Sequence, residues 1–267
     1  MKEKYKSGFA AIIGMPNVGK STLLNKIAGQ KIAIISEKPQ TTRNKILAIH
    51  TTDTEQIIFT DTPGIHKPHN KLGEFMVNAA NETMRDVDVL LFVIDATRPI
   101  QDVEREIVKN IAKTGLPCIL VMNKVDLVEK SNLLPMIADY SSMYDFESIV
   151  PMSAKSGDGV DVLLNDIKNY IPEGPQFYDE DMITDQPEKQ IAAEIIREKM
   201  LWLLDKEIPH GIAIEITKMQ EKEKITNIYA TIYCEKATHK GIIIGKNGDM
   251  LKKIGSMARK DIEHMLG

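Results

Sequence analysis

Eight consecutive residues, Gly14-Met15-Pro16-Asn17-Val18-Gly19-Lys20-Ser21, put two glycines, a lysine and a serine at the spacing G-x-x-x-x-G-K-[ST]. That spacing suits the holding of a polyphosphate. Consecutive main-chain N–H groups at the start of a helix meet a dense anion with fixed dipoles. Gly14 and Gly19 let the backbone curl closely, with no Cβ in the way. Lys20 adds a point charge for the β- and γ-phosphates, and the Ser21 hydroxyl is a hard oxygen ligand for Mg²⁺. Met15, Pro16, Asn17, Val18 and Thr22 complete the loop and the first turn behind it.

Asp61-Thr62-Pro63-Gly64, followed by Ile65, forms a second cluster. An acid here holds Mg²⁺ through water, and the Gly64 N–H senses a γ-phosphate. Between the two clusters, residues 32–45 are polar and carry Pro39, Gln40, Thr41, Thr42 and Arg43. A loop threonine, Thr41 or Thr42, completes the Mg²⁺ shell only while the γ-phosphate is present, which makes an order–disorder switch. Lys20, Gly64 and one of these threonines are therefore the candidates for catalysis, and Ser21, Asp61 and the same threonine, which the family resemblance named below makes Thr42, those for the metal. No side chain offers itself as a general base.

Asn123-Lys124-Val125-Asp126 reads the base. Guanine shows two adjacent donors, N1–H and the exocyclic amine, which one carboxylate accepts together. Adenine lacks the pair and would leave a buried Asp126 unpaired, which is costly. Asn123 is placed to bridge the base edge and the phosphate loop, and the Lys124 stem to lie across the purine. Ser153-Ala154-Lys155 offers a main-chain N–H to the guanine carbonyl. Each short motif is weak alone; their order behind the phosphate loop makes the reading specific.

These residues need a scaffold that gathers them. Residues 9–14, 57–61, 89–95, 116–123 and 148–153 are short apolar runs, and all but the first end in a polar side chain. Helix-like stretches alternate with them at 19–28, 72–85, 103–114, 133–144 and 160–170. This alternation predicts a mostly parallel sheet covered on both faces. Such sheets bind ligands at the carboxyl ends of their strands.

Residues 171–188 break the pattern with prolines and acids and read as a linker. The chain thus divides into a nucleotide-binding domain at 1–171, a linker at 172–188 and a smaller unit at 189–267. In the last, a helix (190–207), two strands (212–219 and 225–235), a short helix, a glycine loop and a final helix follow one another. Gly245-Lys246-Asn247-Gly248 joins the two helices. A G-x-x-G turn there grips a single-stranded nucleic-acid backbone, as in KH domains. Lys246, Lys252 and Lys253 add charge, with Arg259 and Lys260 nearby.

The 267 residues carry 34 basic and 38 acidic side chains, a net charge of −4, which excludes a uniformly basic nucleic-acid coat. Residues 188–267 hold 14 basic and 12 acidic groups, so any basic patch is local. Cys118 and Cys234 lie in apolar runs and read as reduced core thiols. The polar N-terminus lacks an apolar leader core, and no stretch reaches the roughly 18 apolar residues of a membrane span, so a cytoplasmic location is expected.

Across residues 8–171 the motifs resemble the translation-factor-related, Ras-like P-loop GTPases. The resemblance implies an α/β fold with a six-stranded sheet, one edge strand antiparallel, and hydrolysis of GTP to GDP. Ile65 stands where many relatives have a water-positioning glutamine, so unassisted hydrolysis should be slow. That replacement, with Asn17 in the loop, resembles the potassium-stimulated members, in which K⁺ at the asparagine does the work of an arginine finger. With the type II KH-like α+β unit behind it and Pro39-Gln40-Thr41-Thr42-Arg43 in the first switch, nearly the whole chain resembles the Era family of bacterial ribosome-assembly GTPases. That implies binding near the 3′ end of small-subunit ribosomal RNA, a role in 30S assembly, and loose attachment to the inner face of the cell membrane. A KH unit of this type should carry a third strand after its last helix, and the residues for it are not in this sequence. Two other readings fit the same residues: a GTP-gated RNA tether with negligible intrinsic hydrolysis, and another assembly or tRNA-modifying GTPase whose C-terminal module docks protein.

Overall fold

The computed structural model describes residues 4–36, 38, 41, 46–61, 86–204, 211–223 and 225–267. The expected helix at 72–85, the switch residues Pro39, Gln40, Thr42 and Arg43, and the run Thr62, Pro63, Gly64 and Ile65 lie outside them. The described residues form two compact units.

The first unit is built on β1 (Lys6–Ile13), β2 (Ile46–Thr51), β3 (Glu55–Asp61), β4 (Val89–Asp95), β5 (Cys118–Asn123) and β6 (Ser148–Pro151). They form one sheet in the order β2-β3-β1-β4-β5-β6. Only β2 runs antiparallel to its neighbour. This is the six-stranded, mostly parallel α/β sheet with one antiparallel edge that the sequence suggested. Every residue of β3, β4 and β5 is buried, which is why β4 and β5, and Ile57, Ile58 and Phe59 within β3, read as apolar runs instead of alternating ones.

Helices α1 (Lys20–Ala28), α2 (Asp102–Thr114), α3 (Lys130–Met143) and α4 (Val160–Ile167) pack on this sheet. Helix α2 starts on a capping box in which the side chains of Gln101 and Glu104 each accept the other residue's N–H. Its Ile107, Val108 and Ile111 meet Leu90, Phe92 and Leu120 of the central strands. Each such fully buried side chain contributes on the order of 2 kcal/mol. This core holds the strand ends in fixed register, with Asp95 beside Asn123.

Residues 172–185, read as linker from their prolines and acids, fold with the first unit. Ser7 donates its N–H to Pro172 and its hydroxyl to Pro175. The buried Gln56 amide donates to Tyr178 and accepts the N–H groups of Phe177 and Tyr178. The stretch thus satisfies polar groups of the strands it covers, which composition does not reveal.

The second unit contains α5 (Glu188–Leu203), the hairpin β7 (Ile212–Lys222) and β8 (Ile225–Cys234), α6 (Ala237–Ile244) and α7 (Asp249–Leu266). Ile254, Ala258 and Ile262 form the buried stripe of α7, spaced by whole helical turns. They pack with Ile191, Ala192, Ile195 and Met200 of α5 and with Ile212 of β7. Residues Ala33–Thr41 also belong to this unit. The Ile35 N–H donates to Glu198 at 2.8 Å, the Trp202 indole donates to the Ile35 carbonyl at 3.0 Å, and Arg197 donates to the Thr41 carbonyl. Glu198 is paired in turn with Lys199, which also meets Asp261 on α7.

Candidate functional site

Strand β1 runs into the phosphate loop, and α1 leaves it. Gly14 has φ +150° and Gly19 φ +100°. A Cβ on Gly14 would stand 2.2 Å from the Val93 carbonyl oxygen, and one on Gly19 would stand 2.1 Å from Asn123 Nδ2. No side chain fits either place. Helix α1 carries no acid in its first turn, so its N-terminal field stays positive, as an anion requires.

Lys20 is buried, and its ammonium donates to the carbonyls of Gly14 at 3.1 Å and Met15 at 2.9 Å. Burial pulls its pKa down from 10.5 to about 8, with the Asp61 carboxylate opposing. Ser21 Oγ donates to Asp61 Oδ2 at 2.8 Å. The structure thus brings the first turn of α1 and the end of β3 together through two hard oxygen donors, one of them anionic. That donor set fits Mg²⁺.

The base-reading motif follows β5. Asn123 is buried and spans the site: Nδ2 donates to the Val18 carbonyl at 2.8 Å, and Oδ1 accepts the Ala154 N–H at 2.9 Å. It ties the phosphate loop to the Ser153-Ala154-Lys155 loop, so the bridge expected of Asn123 runs from loop to loop. Because the Ala154 amide is engaged by Asn123, the donor expected for the guanine carbonyl is not that N–H as the loop stands. Ser153 is buried while Lys155 is exposed. Lys124 takes the left-handed conformation at φ +67°, and a 3₁₀ turn of Val125–Leu127 follows. Asp126 in that turn is exposed, where a buried carboxylate had been expected. Asn17 is exposed with φ +65°.

Sequence reasoning counted Asp95 only among the polar residues that end the strands and gave it no role. Its carboxylate accepts the Lys124 ammonium at 2.6 Å and the N–H and hydroxyl of Thr97 at 3.0 and 2.6 Å. Burial pushes its pKa up, but these bonds outweigh burial and hold it below the ordinary carboxylate value. The signal was available, since this acid ends a strand as Asp61 does, but no motif includes it.

In the second unit the glycine loop joins α6 to α7. Gly245 has φ +75° and Gly248 φ +81°. Lys246, Asn247, Lys252 and Lys253 are exposed, as are Arg259 and Lys260. The structure therefore gathers one turn and a set of outward cations along the helix behind it. Among the described residues no helix is long and apolar enough to cross a membrane.

Comparison with known proteins agrees with this geometry. Residues 9–124 match a family model described as 50S ribosome-binding GTPase, and residues 207–267 match a KH domain model. The chain is 58% identical to GTPase Era of Ruminiclostridium cellulolyticum over 265 residues, covering 98% of this chain and 88% of that one. It is 53% identical to GTPase Era of Clostridioides difficile over 266 residues, covering 98% and 90%. Among solved structures, it is similar to Era in complex with MgGDPNP and nucleotides 1506–1542 of 16S ribosomal RNA. That match has a TM-score of 0.93 at 42% identity over 98% of this chain and 90% of the other. A variant of Aquifex aeolicus Era bound to GDP·AlF4⁻ matches with the same score, identity and coverage.

Proposed function

The chain belongs to the Era family of GTPases, and from that premise we propose that it binds small-subunit ribosomal RNA near its 3′ end and promotes 30S assembly under the control of GTP hydrolysis. One observation carries the reading. A buried phosphate-loop lysine, an asparagine tying that loop to the base motif and an open G-x-x-G turn flanked by cations occur on one chain, and a 42% identical relative holds MgGDPNP and 16S ribosomal RNA together.

In the mechanism, the amides of the phosphate loop and Lys20 hold the β- and γ-phosphates. Ser21 and Asp61 would hold Mg²⁺, which when bound would neutralise phosphate charge. Asp126 accepts the two guanine donors and Asn123 keeps the base and phosphate loops in one spacing. Thr42 and Gly64 are the proposed sensors of the γ-phosphate, and its loss releases both switches. Ile65 orients no water, so hydrolysis is slow unless assisted. Asn17, exposed on the loop, carries an amide oxygen of the kind K⁺ accepts. Hydrolysis faster in K⁺ than in Na⁺ supports that role, and equal rates remove it.

Met15, Pro16, Val18, Thr22, Thr62, Pro63, Val125 and Lys155 line the nucleotide in the same reading. The Gly245, Lys246, Asn247 and Gly248 turn takes the RNA backbone, with Lys252 and Lys253 behind it. The reading puts the chain in the cytoplasm with the ribosomal subunits, and membrane attachment rests on the family resemblance alone. Crosslinking to a single-stranded RNA copying the 3′ end of 16S ribosomal RNA tests the function. Crosslinks should form in the wild type and disappear in Gly245→Asp and Gly248→Asp. Crosslinks that persist in both variants, each shown to be folded, would leave the second unit as a protein-docking module.

A further inference from the structure

Asp95 ends β4, outside the phosphate and base motifs, yet it is almost fully buried. A buried carboxylate is costly unless paired, and the pairing here divides cleanly between its two oxygens. Oδ1 accepts the N–H and the hydroxyl of Thr97, which shapes the turn after β4. Oδ2 has nothing to do with that turn's amide. It faces the Lys124 ammonium at 2.6 Å, with Arg98 Nε at 3.4 Å.

The same ammonium donates to the Asn17 carbonyl of the phosphate loop at 2.8 Å. The far end of the Lys124 side chain is therefore fixed at two points, while its near end is set by a left-handed backbone. A lysine stem is normally among the most mobile of side chains, and ordering it costs rotamer entropy. Held between Asp95 and the loop, the stem has lost that freedom. A floor ordered in advance binds a flat base more tightly than one that must be ordered on contact.

We propose that Asp95 is a positioning residue for the guanine nucleotide: by anchoring the Lys124 ammonium it presets the stem on which the base rests, and so sets how long the nucleotide stays bound. The proposal rests on the guanine-nucleotide reading of the site. It acts through the nucleoside, so GDP and GTP are affected alike.

The test is the dissociation rate of a fluorescent GDP from the full chain, and of its GTP counterpart, by stopped flow. Asp95→Asn is isosteric: its amide oxygen still serves Thr97, while its NH₂ turns a donor toward Lys124. Release of both nucleotides should quicken about tenfold, the scale of one charge-assisted hydrogen bond. Lys124→Met keeps the stem and removes the ammonium. On that background Asp95→Asn should add less than about twofold, because the two residues act as one unit. Thr97→Val, which removes only the hydroxyl bond to Oδ1, should leave release within about twofold of the wild type. If Asp95→Asn does not fold, Asp95→Glu replaces it, with the charge kept but displaced by one methylene. Unchanged release in the Asp95 variant, multiplying effects in the double variant, or equal acceleration by Thr97→Val each overturns the proposal. A wild-type chain that binds neither nucleotide sinks the guanine reading instead.

Discussion

The nucleotide site and the glycine turn of the second unit use the same materials, glycines and lysines at a helix N-terminus, in opposite ways. In the first, Lys20, Asp61, Asn123 and Ser153 are buried and bonded to one another or to the loops they join. In the second, Lys246, Asn247, Lys252 and Lys253 all face solvent. The glycines differ too. A Cβ on Gly19 strikes Asn123, whereas a Cβ on Gly248 would meet nothing within 4 Å. A small anion must be enclosed to be told from others, so its site is shaped before the ligand comes. A polymer backbone is too large to enclose and is gripped from one side, so its site needs access more than closure.

The sharpest break between the two comes at these glycines. Gly19→Ala places a methyl on Asn123 in a conformation L-residues avoid, and nucleotide affinity should fall by more than about a hundredfold, the scale of a lost buried contact network. Isothermal titration with GDP measures it. A fall of less than about tenfold would mean that the loop yields and the enclosure is loose.

A second effect follows from burial of Lys20. Above pH 8 the nucleotide-free protein loses the Lys20 proton, since its pKa lies at about 8. A bound polyphosphate favours the ammonium, so binding takes up a proton there. Affinity should therefore drop as pH rises through 8, by up to about tenfold per unit. Folding runs the other way: from pH 8 toward 10.5 the unfolded chain holds a proton the native one has lost, so this group then adds stability. Titrations at pH 7 and 9 check the binding arm.

Smaller effects separate the two glycines of the second unit. Gly245→Ala brings a Cβ to 2.7 Å from Met250 Cβ and 2.8 Å from its nitrogen, and should cost about 2–3 kcal/mol by chemical denaturation. Gly248→Ala meets only backbone strain at φ +81°, and should cost about 1 kcal/mol. Equal losses would show that conformation, not space, constrains both.

Much of this site was legible in the chain because its parts are contiguous. The loop from Gly14 to Ser21 and the run from Asn123 to Asp126 are each recognisable from neighbours in sequence, although the bonds of Asn123 and Lys124 reach distant residues. The buried strands β3, β4 and β5 announced themselves by apolar runs. Strand β2 did not, because Ile46–Thr51 is short and lies at an edge with its last two residues half-exposed. The helix read at 190–207 begins at Glu188 and is assigned only to Leu203, and the segment at 172–185 hid its role in a composition typical of linkers.

What the sequence determined by itself was the class of ligand and the buried, mostly parallel character of the sheet's central strands, because backbone amides, glycine conformations and apolar periodicity are local properties. Tertiary structure alone decided the rest. It set Asp95 against Lys124 across 29 residues, and joined Ser21 to Asp61 across 40. It also placed Ile35 on the carboxylate of Glu198. These are choices about where charged groups find partners away from water. A carboxylate's partner is fixed by which strand ends the core brings side by side, and no local pattern in the chain records that.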